Sequence, residues 1–263
     1  MPSVLTIAGS DSGAGAGIQA DLKTFAALGV YGTTVVTAVT AQNTRGVRAV
    51  QELSPEIVAA QIEAVVTDIR PDAVKTGMLA SAAIIEVVAA KVKEHRLPNL
   101  VVDPVMVASS GDPLLRSDAV AALKDLLLPL AAVVTPNLAE AAVLSGRDVA
   151  TEADRRRAAR EIVALGAGAV VITGGHLEGD TALDLLYDGR RFRSYAASRV
   201  ETGGGHGTGC TFASALATFL ARGEPLAEAV GRAKEYVTEA LRHAYPIGRG
   251  QGPVHHFFRF WQE

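Results

Sequence analysis

The run Gly205-His206-Gly207-Thr208-Gly209-Cys210 leads straight into Phe212, Ala215, Leu216, Phe219 and Leu220, which fall at helical spacing. Glycines ahead of a helix let an anion approach backbone N–H groups that have no partner within the helix and carry partial positive charge. The segment is a candidate anion site, although a tightly packed turn would use the same residues. Cys210 falls at or near the first helical turn, where the helix field favours thiolate and would lower the thiol pKa. Taken alone, it also suits a small packing residue. Beside a phosphate cradle, such a thiol stands where a substrate hydroxyl must lose a proton.

A second group gathers around Asn137 and Glu140, three residues apart at a helix start and therefore on one face. With Asp103 at a neighbouring strand end they offer oxygens to a magnesium ion, directly or through water. The simpler alternative is a helix cap, with Glu140 favouring the positive helix end. The first glycine loop, residues 10–17, does not have dinucleotide spacing, because Ile18 stands where the third glycine of G-x-G-x-x-G would be. The sequence has no G-x-x-x-x-G-K-[ST] segment, so a nucleotide would be held without a P-loop.

These residues follow short apolar runs that alternate with stretches of helical period, the pattern of parallel strands joined by crossover helices. Strands are expected at 4–7, 33–40, 72–75, 100–102, 132–134 and 169–172. Helical spacing places Ile18, Leu22, Phe25 and Ala26 on one helix stopped by Gly29. Ser54-Pro55 and the pair Thr151 and Asp154 open two more helices, and a last one spans 225–244. Residues 183–187 and 191–195, joined through Asp188-Gly189, read as a hairpin at a sheet edge. In such sheets ligands bind beyond the C-terminal strand ends, which is where the glycine loop, Asp103-Pro104, Thr135-Pro136-Asn137 and Gly174-Gly175-His176 fall. No linker, charge block or repeat divides the chain, so one domain over 1–263 is expected.

With 49% hydrophobic and 20% charged residues, the chain has material for a large core. A net charge of -3 with interspersed signs offers no surface for tracking nucleic acid, and Arg155-Arg156-Arg157 with Arg160 reads as a solvated helix face. No run approaches the roughly 18 apolar residues of a membrane span, and the N-terminus lacks a basic leader followed by an apolar run and cleavage site, so the mature protein is expected to begin at about Met1. The single cysteine excludes an internal disulfide and a cysteine-based metal site, which fits a cytoplasmic setting.

Several blocks taken together resemble the hydroxymethylpyrimidine/phosphomethylpyrimidine kinases. They are Ala8-Gly9-Ser10-Asp11-Ser12, Gly15-Ala16-Gly17-Ile18-Gln19-Ala20-Asp21-Leu22-Lys23, Ala41-Gln42-Asn43-Thr44, Gly77-Met78-Leu79 and Asp103-Pro104-Val105-Met106. Further on come Thr135-Pro136-Asn137-Leu138-Ala139-Glu140-Ala141, Gly174-Gly175-His176, His206-Gly207-Thr208-Gly209-Cys210-Thr211 and Gly252-Pro253-Val254-His255-His256-Phe257. The resemblance runs the length of the chain in order. It implies an α/β, ribokinase-like three-layer sandwich: a central, mostly parallel sheet with helices on both faces, in a homodimer. It also implies two successive transfers from ATP with Mg2+, to the hydroxymethyl group of the pyrimidine and then to the phosphate installed there, on the route to thiamine.

By that resemblance Cys210 is the base, and Gly207, Thr208 and Gly209 form the anion hole. Asn137, Glu140, Thr173 and His206 lie along the nucleotide and its phosphates, while Asp103 and Glu140 attend the metal. Gly9, Asp21, Gln42, Met78 and Val105 are expected around the pyrimidine; a side-chain amide at Gln42 suits the mixed edge of an aminopyrimidine, whereas without the resemblance it reads as a strand-end surface residue. Two departures stand out: Thr173 occupies a position where the family commonly has lysine, and Gly204-Gly205 replaces its usual Asn-Thr. A nearby arginine or the metal could take over the lysine's charge. A pyridoxal-type kinase and a catalytically idle pyrimidine-binding module are the other readings of the same pocket. Read from the residues alone, His176, His206, His255 and His256 each suit a hydrogen-bonding structural role better than a chemical one.

Overall fold

The computed structural model describes residues 1–107, 114, 117–174, 180–202 and 204–261. Gly175 and His176, singled out in the sequence, lie outside the described residues. Apolar β-branched runs form the centre of a nine-stranded sheet in the order β3-β2-β1-β4-β5-β6-β7-β8-β9. Its strands are β1 (Ser3–Asp11), β2 (Tyr31–Asn43), β3 (Gly46–Glu52), β4 (Ala73–Thr76), β5 (Leu100–Val102), β6 (Val133–Val134), β7 (Val170–Ile172), β8 (Thr181–Tyr187) and β9 (Phe192–Ser198). The six strands from β2 to β7 run parallel. β3 at one edge and the β8–β9 hairpin at the other are antiparallel additions. The hairpin edge agrees with the sequence reading; β3, with exposed residues along it, has no apolar alternation to announce it.

Helices cover both faces because the parallel strands are apolar on both sides. On one face Leu5, Ile7, Val74 and Val102 pack with α2 (Pro55–Val66), α3 (Ala82–Glu94), α5 (Leu138–Ser145) and α6 (Glu152–Ala164). On the other, Val4, Ala73, Val101 and Val171 pack with α1 (Gly17–Ala27), α7 (Thr208–Ala221) and α8 (Leu226–Arg242). A further helix, α4 (Ser117–Ala122), precedes β6 on the α3 side. The three-layer architecture expected from the sequence is present. Among the described residues no helix is long and apolar enough to cross a membrane.

Local signals set the helix starts. Ser54 accepts from the Ile57 N–H with Pro55 in the first turn of α2, and Thr151 and Asp154 cap α6 reciprocally. The basic run on α6 departs from expectation at one position. Arg155 is buried and donates to the Leu183 carbonyl, whereas Arg156 and Arg157 pair with Glu152 and Asp154 on the surface. A two-stranded sheet of β10 (Gly204–His206) and β11 (Gly252–Pro253) then ties the C-terminal segment to the entry of α7.

Helix α7 is buried from Thr211 to Phe219, so its position depends on core packing. Leu216→Ala, a fully buried truncation, should lower unfolding free energy by about 2–5 kcal/mol. Urea denaturation should show this as a lower midpoint with an unchanged slope.

Candidate active site

Chain order changes direction at β1, which has β2 on one side and β4 on the other. Such a reversal opens a crevice beyond the C-terminal strand ends. There a cavity of about 700 Å³ is lined by Gly9, Gln42, Met78, Asp103, Val105, Asn137, Glu140, Thr173 and residues 204–210.

At one end of it lies the start of α7. Gly207 is the N-cap residue at φ 82°, a left-handed conformation suited to glycine, and no side chain caps the helix. An added Cβ on Gly207 would lie 1.8 Å from the Gly15 carbonyl oxygen, whereas one on Gly209 would meet nothing within 4 Å. The chain is thus pressed against the first glycine loop at Gly207 and open at Gly209.

Asp11 binds the two loops together. Its carboxylate accepts from the N–H groups of Gly13, Gly15 and Ala16, and from His206 Nε2 at 2.8 Å. Burial alone would push its pKa up, but the His206 bond and the amides of Ala16 and Gly13 hold it below the usual carboxylate range. His206 therefore serves as a tether as well as a wall residue. Gln42 presents its amide nitrogen to His206 Nε2 at 3.3 Å and its oxygen to Thr40 Oγ1 at 3.2 Å. Since His206 must donate to Asp11 and Thr40 Oγ1 also donates to the Ser10 carbonyl, hydrogen-bond chemistry selects the reverse amide orientation. The Gln42 oxygen then shares the single His206 Nε2–H with Asp11, as the longer of the two contacts, and its nitrogen donates one N–H to Thr40 and keeps the other for a ligand.

Opposite this wall, Asn137 and Glu140 form a reciprocal cap on α5: Asn137 Oδ1 accepts from the Glu140 N–H, and Glu140 Oε2 accepts from the Asn137 N–H. The capping alternative is therefore realised, on side chains that also face the cavity. Burial pushes the Glu140 carboxyl up to about 8, with the Asp103 charge adding to the effect. Burial likewise pushes Asp103 up to about 6, partly offset by Lys75. Asp103 Oδ2 is buried with no hydrogen-bond partner among the described residues. A pair of mutually repelling carboxylates, one with an idle oxygen, is a donor set that fits a hard divalent cation.

Two expectations need correction. Burial pushes the Cys210 thiol up to about 12, Lys75 offsetting part of the rise and Asp103 and Asp21 adding to it. The helix start does not lower the thiol below its ordinary value, because desolvation outweighs the helix field. Asp21, expected at the pyrimidine, does not line the cavity. It is fully buried beneath it, where its carboxylate accepts from Thr6, Ser214 and Lys75. The other candidate residues all reach the cavity wall. His255 and His256 lie away from that wall, His256 bonding Thr211 Oγ1 and His255 packing edge-on against Tyr245 and tilted against Trp261.

The family model for phosphomethylpyrimidine kinase matches residues 11–255. The chain belongs to this family. It is 56% identical over 262 residues to the hydroxymethylpyrimidine/phosphomethylpyrimidine kinase of Rhizobium meliloti (strain 1021), covering 98% of each chain. Among solved structures, it resembles an ADP complex of Bacillus subtilis pyridoxal kinase at TM-score 0.92 and 43% identity over 99% of both chains. It also resembles the phosphomethylpyrimidine kinase of Clostridium difficile 630 at TM-score 0.82 and 46% identity, over 92% of this chain and 100% of that one.

Within the phosphomethylpyrimidine kinase family, the missing lysine at 173 acquires a structural context. Thr173 bridges to Asn137 on the wall, and the cations nearby are Arg199 and Lys234, which line the same cavity. Lys234 Nζ lies 3.0 Å from Asp184 Oδ1, which also accepts from the Gly174 N–H. Sequence reasoning missed both cations and Asp11; an acid within the apolar hairpin strand, Asp184, was the one local signal for this charge pair.

The carboxylate shifts set a pH dependence. Asp103 and Glu140 have folded values above their unfolded ones, so their contribution to stability is complete below the ordinary carboxylate range and is lost as pH rises through about 6 and then about 8. Asp11 has the opposite sign, and its contribution is lost as pH falls below that range. The ligand-free protein should therefore lose thermal stability between pH 5 and about 8.5, and Glu140→Gln should flatten that decline in a calorimetric pH series.

Proposed function

We propose that this protein is an ATP-dependent kinase that phosphorylates 4-amino-5-hydroxymethyl-2-methylpyrimidine and then its monophosphate to the diphosphate, for thiamine biosynthesis. The observation that carries the reading is that one cavity joins a heterocycle wall of Gly9, Gln42, Met78 and Val105 to an uncapped helix start and to the Asp103–Glu140 pair. Family membership supports the choice of substrate. The fit to B. subtilis pyridoxal kinase supports pyridoxal as a second alcohol worth testing. An idle binding module is disfavoured by the presence of Asn137, Glu140 and Cys210 in one cavity.

In the first transfer the hydroxymethyl oxygen forms a bond to the γ-phosphorus, the bond from that phosphorus to the ADP oxygen breaks, and the hydroxyl proton passes to the protein. Gln42 and Met78 orient the ring, and the first-turn amides of α7 hold charge on the moving phosphoryl group. In this reading the hydroxyl proton passes through Cys210: the thiol, protonated at neutral pH, gives its own proton to the ionised Asp103 carboxylate hydrogen-bonded to it as it takes the one from the hydroxyl. Asp103 and Glu140 would hold Mg2+, which when bound neutralises phosphate charge. Lys234 and Arg199 supply the phosphate-facing positive charge that the family commonly draws from position 173. The resemblance supports homodimeric assembly and a cytoplasmic location, and a single free cysteine is compatible with the latter. Sedimentation of the purified protein tests the former.

Mass analysis of products from MgATP with the pyrimidine alcohol should show both mono- and diphosphate; absence of the diphosphate would refute the reading. The second nucleophile is a phosphate already largely ionised at neutral pH, so it needs a base less than the alcohol does. Cys210→Ala should therefore slow the first transfer by about 10²–10⁴-fold and the second by much less, in single-turnover assays of each step. Equal losses would assign Cys210 a packing role. Lys234→Met should raise the KM for ATP with little change in that for the pyrimidine.

A further inference from the structure

Beneath the cavity lies a fully buried ion pair that binds no ligand in the proposed reaction. Lys75 on β4 and Asp21 on α1 are both 0% exposed, and Lys75 Nζ sits 3.0 Å from each carboxylate oxygen of Asp21. Thr6 Oγ1 and Ser214 Oγ each donate to that carboxylate at 2.6 Å, so β1, β4, α1 and α7 meet on it. Stability is a weak explanation for such a pair. Desolvating two charges costs several kcal/mol per ion, and well-packed apolar replacements are often neutral or stabilising.

The pair is also oriented. The Lys75 ammonium reaches along its strand to the level of residue 77, where a Cβ added to Gly77 would lie 2.8 Å from Nζ. That is the direction of the C-terminal strand ends and of the cavity. Asp21 is bonded to Ser214, one helical turn deeper along α7 than Cys210 and on the same face. The positive end of the pair therefore points toward the reacting groups and the negative end away from them.

Resting on the kinase reading, we propose that Lys75 is a positioning residue for phosphoryl transfer: anchored by Asp21, it presents a fixed positive charge from beneath the cavity toward its Asp103–Cys210 end. The charges felt at that end agree with the geometry. At both Asp103 and Cys210 the pull of Lys75 exceeds the opposing push of Asp21, so the ammonium is the dominant end. Burial alone would lower the Lys75 pKa, but the facing charges, Asp21 first, hold it above the ordinary lysine value. The charge persists through the working pH range. A group of this kind favours the transition state, in which anionic charge spreads over the transferring phosphoryl group, more than it favours binding of a neutral pyrimidine.

The test is the neutral pair Asp21→Asn/Lys75→Met, assayed beside wild type with the pyrimidine alcohol and MgATP. The double variant should keep its melting temperature within a few degrees and its KM for the pyrimidine within about threefold, while kcat falls at least tenfold. A purely structural pair predicts that a folded double variant keeps kcat within about twofold of wild type, and that result would overturn the proposal. Gly77→Ala provides an independent variant, because it retains both charges and pushes the ammonium back by its new methyl group. The new methyl would also lie 3.0 Å from the Ala8 Cβ, so the flexible ammonium end is the part that gives way; the variant should fold and lose kcat several-fold at unchanged KM for the pyrimidine, and unchanged kcat would count against the proposal even if the double variant failed to fold. An inactive wild type would refute the kinase reading instead, which keeps the two failures distinct.

Discussion

The contact between Gly15 and Gly207 is the constraint on which the site depends. Two loops from opposite ends of the sequence approach so closely that neither can carry a side chain at the point of contact. Asp11 holds them together by accepting from the backbone of one loop and the His206 ring of the other. This single carboxylate fixes where α7 begins, and thus where its uncapped amides point. It also places His206 against Gln42, so the Gln42 side of the cavity and the start of α7 are parts of one hydrogen-bonded unit. A small displacement of either loop would separate chemistry that has to act together.

Around that unit the protein concentrates charges that a stability-driven core would avoid. Asp103, Glu140, Asp21 and Lys75 are all buried close to the ends of β1, β4 and β5. Their effects oppose one another: Lys75 lowers the cost of ionising Asp103, and Asp103 raises the cost of ionising Glu140. The arrangement stays unfavourable for negative charge until positive charge enters, a condition that the proposed nucleotide with its counter-ion would meet. The apolar cores on the two sheet faces supply the stability that such a cluster draws on.

Strand and helix order was legible because it depends on local pattern. Unbroken apolar runs marked β5, β6 and β7 to within a residue or so, Ser54-Pro55 and Thr151 with Asp154 marked two helix starts, and Asp188-Gly189 marked the edge hairpin. Edge strand β3 and the small β10–β11 sheet were not legible, since one is solvent-exposed and the other is formed by glycine-rich segments distant in sequence. Most residues that line the cavity were also legible: Asp103, Asn137 and the glycines ahead of α7 from their place after apolar strands or before a helix, and Gly9, Gln42, Met78 and Val105 from the family resemblance.

By itself the sequence determined the layered architecture, the strand ends that bear chemistry and the family, since each rests on residue type, short-range spacing or the order of motifs. Only the tertiary structure decided protonation and direction. It raised Cys210 where the helix start suggested lowering, moved Asp21 from the cavity wall to a buried pair, and brought Lys234 near the position where the family commonly has lysine. Burial and long-range charge are properties of which distant segments enclose a group, and helical or strand periodicity carries no record of that enclosure.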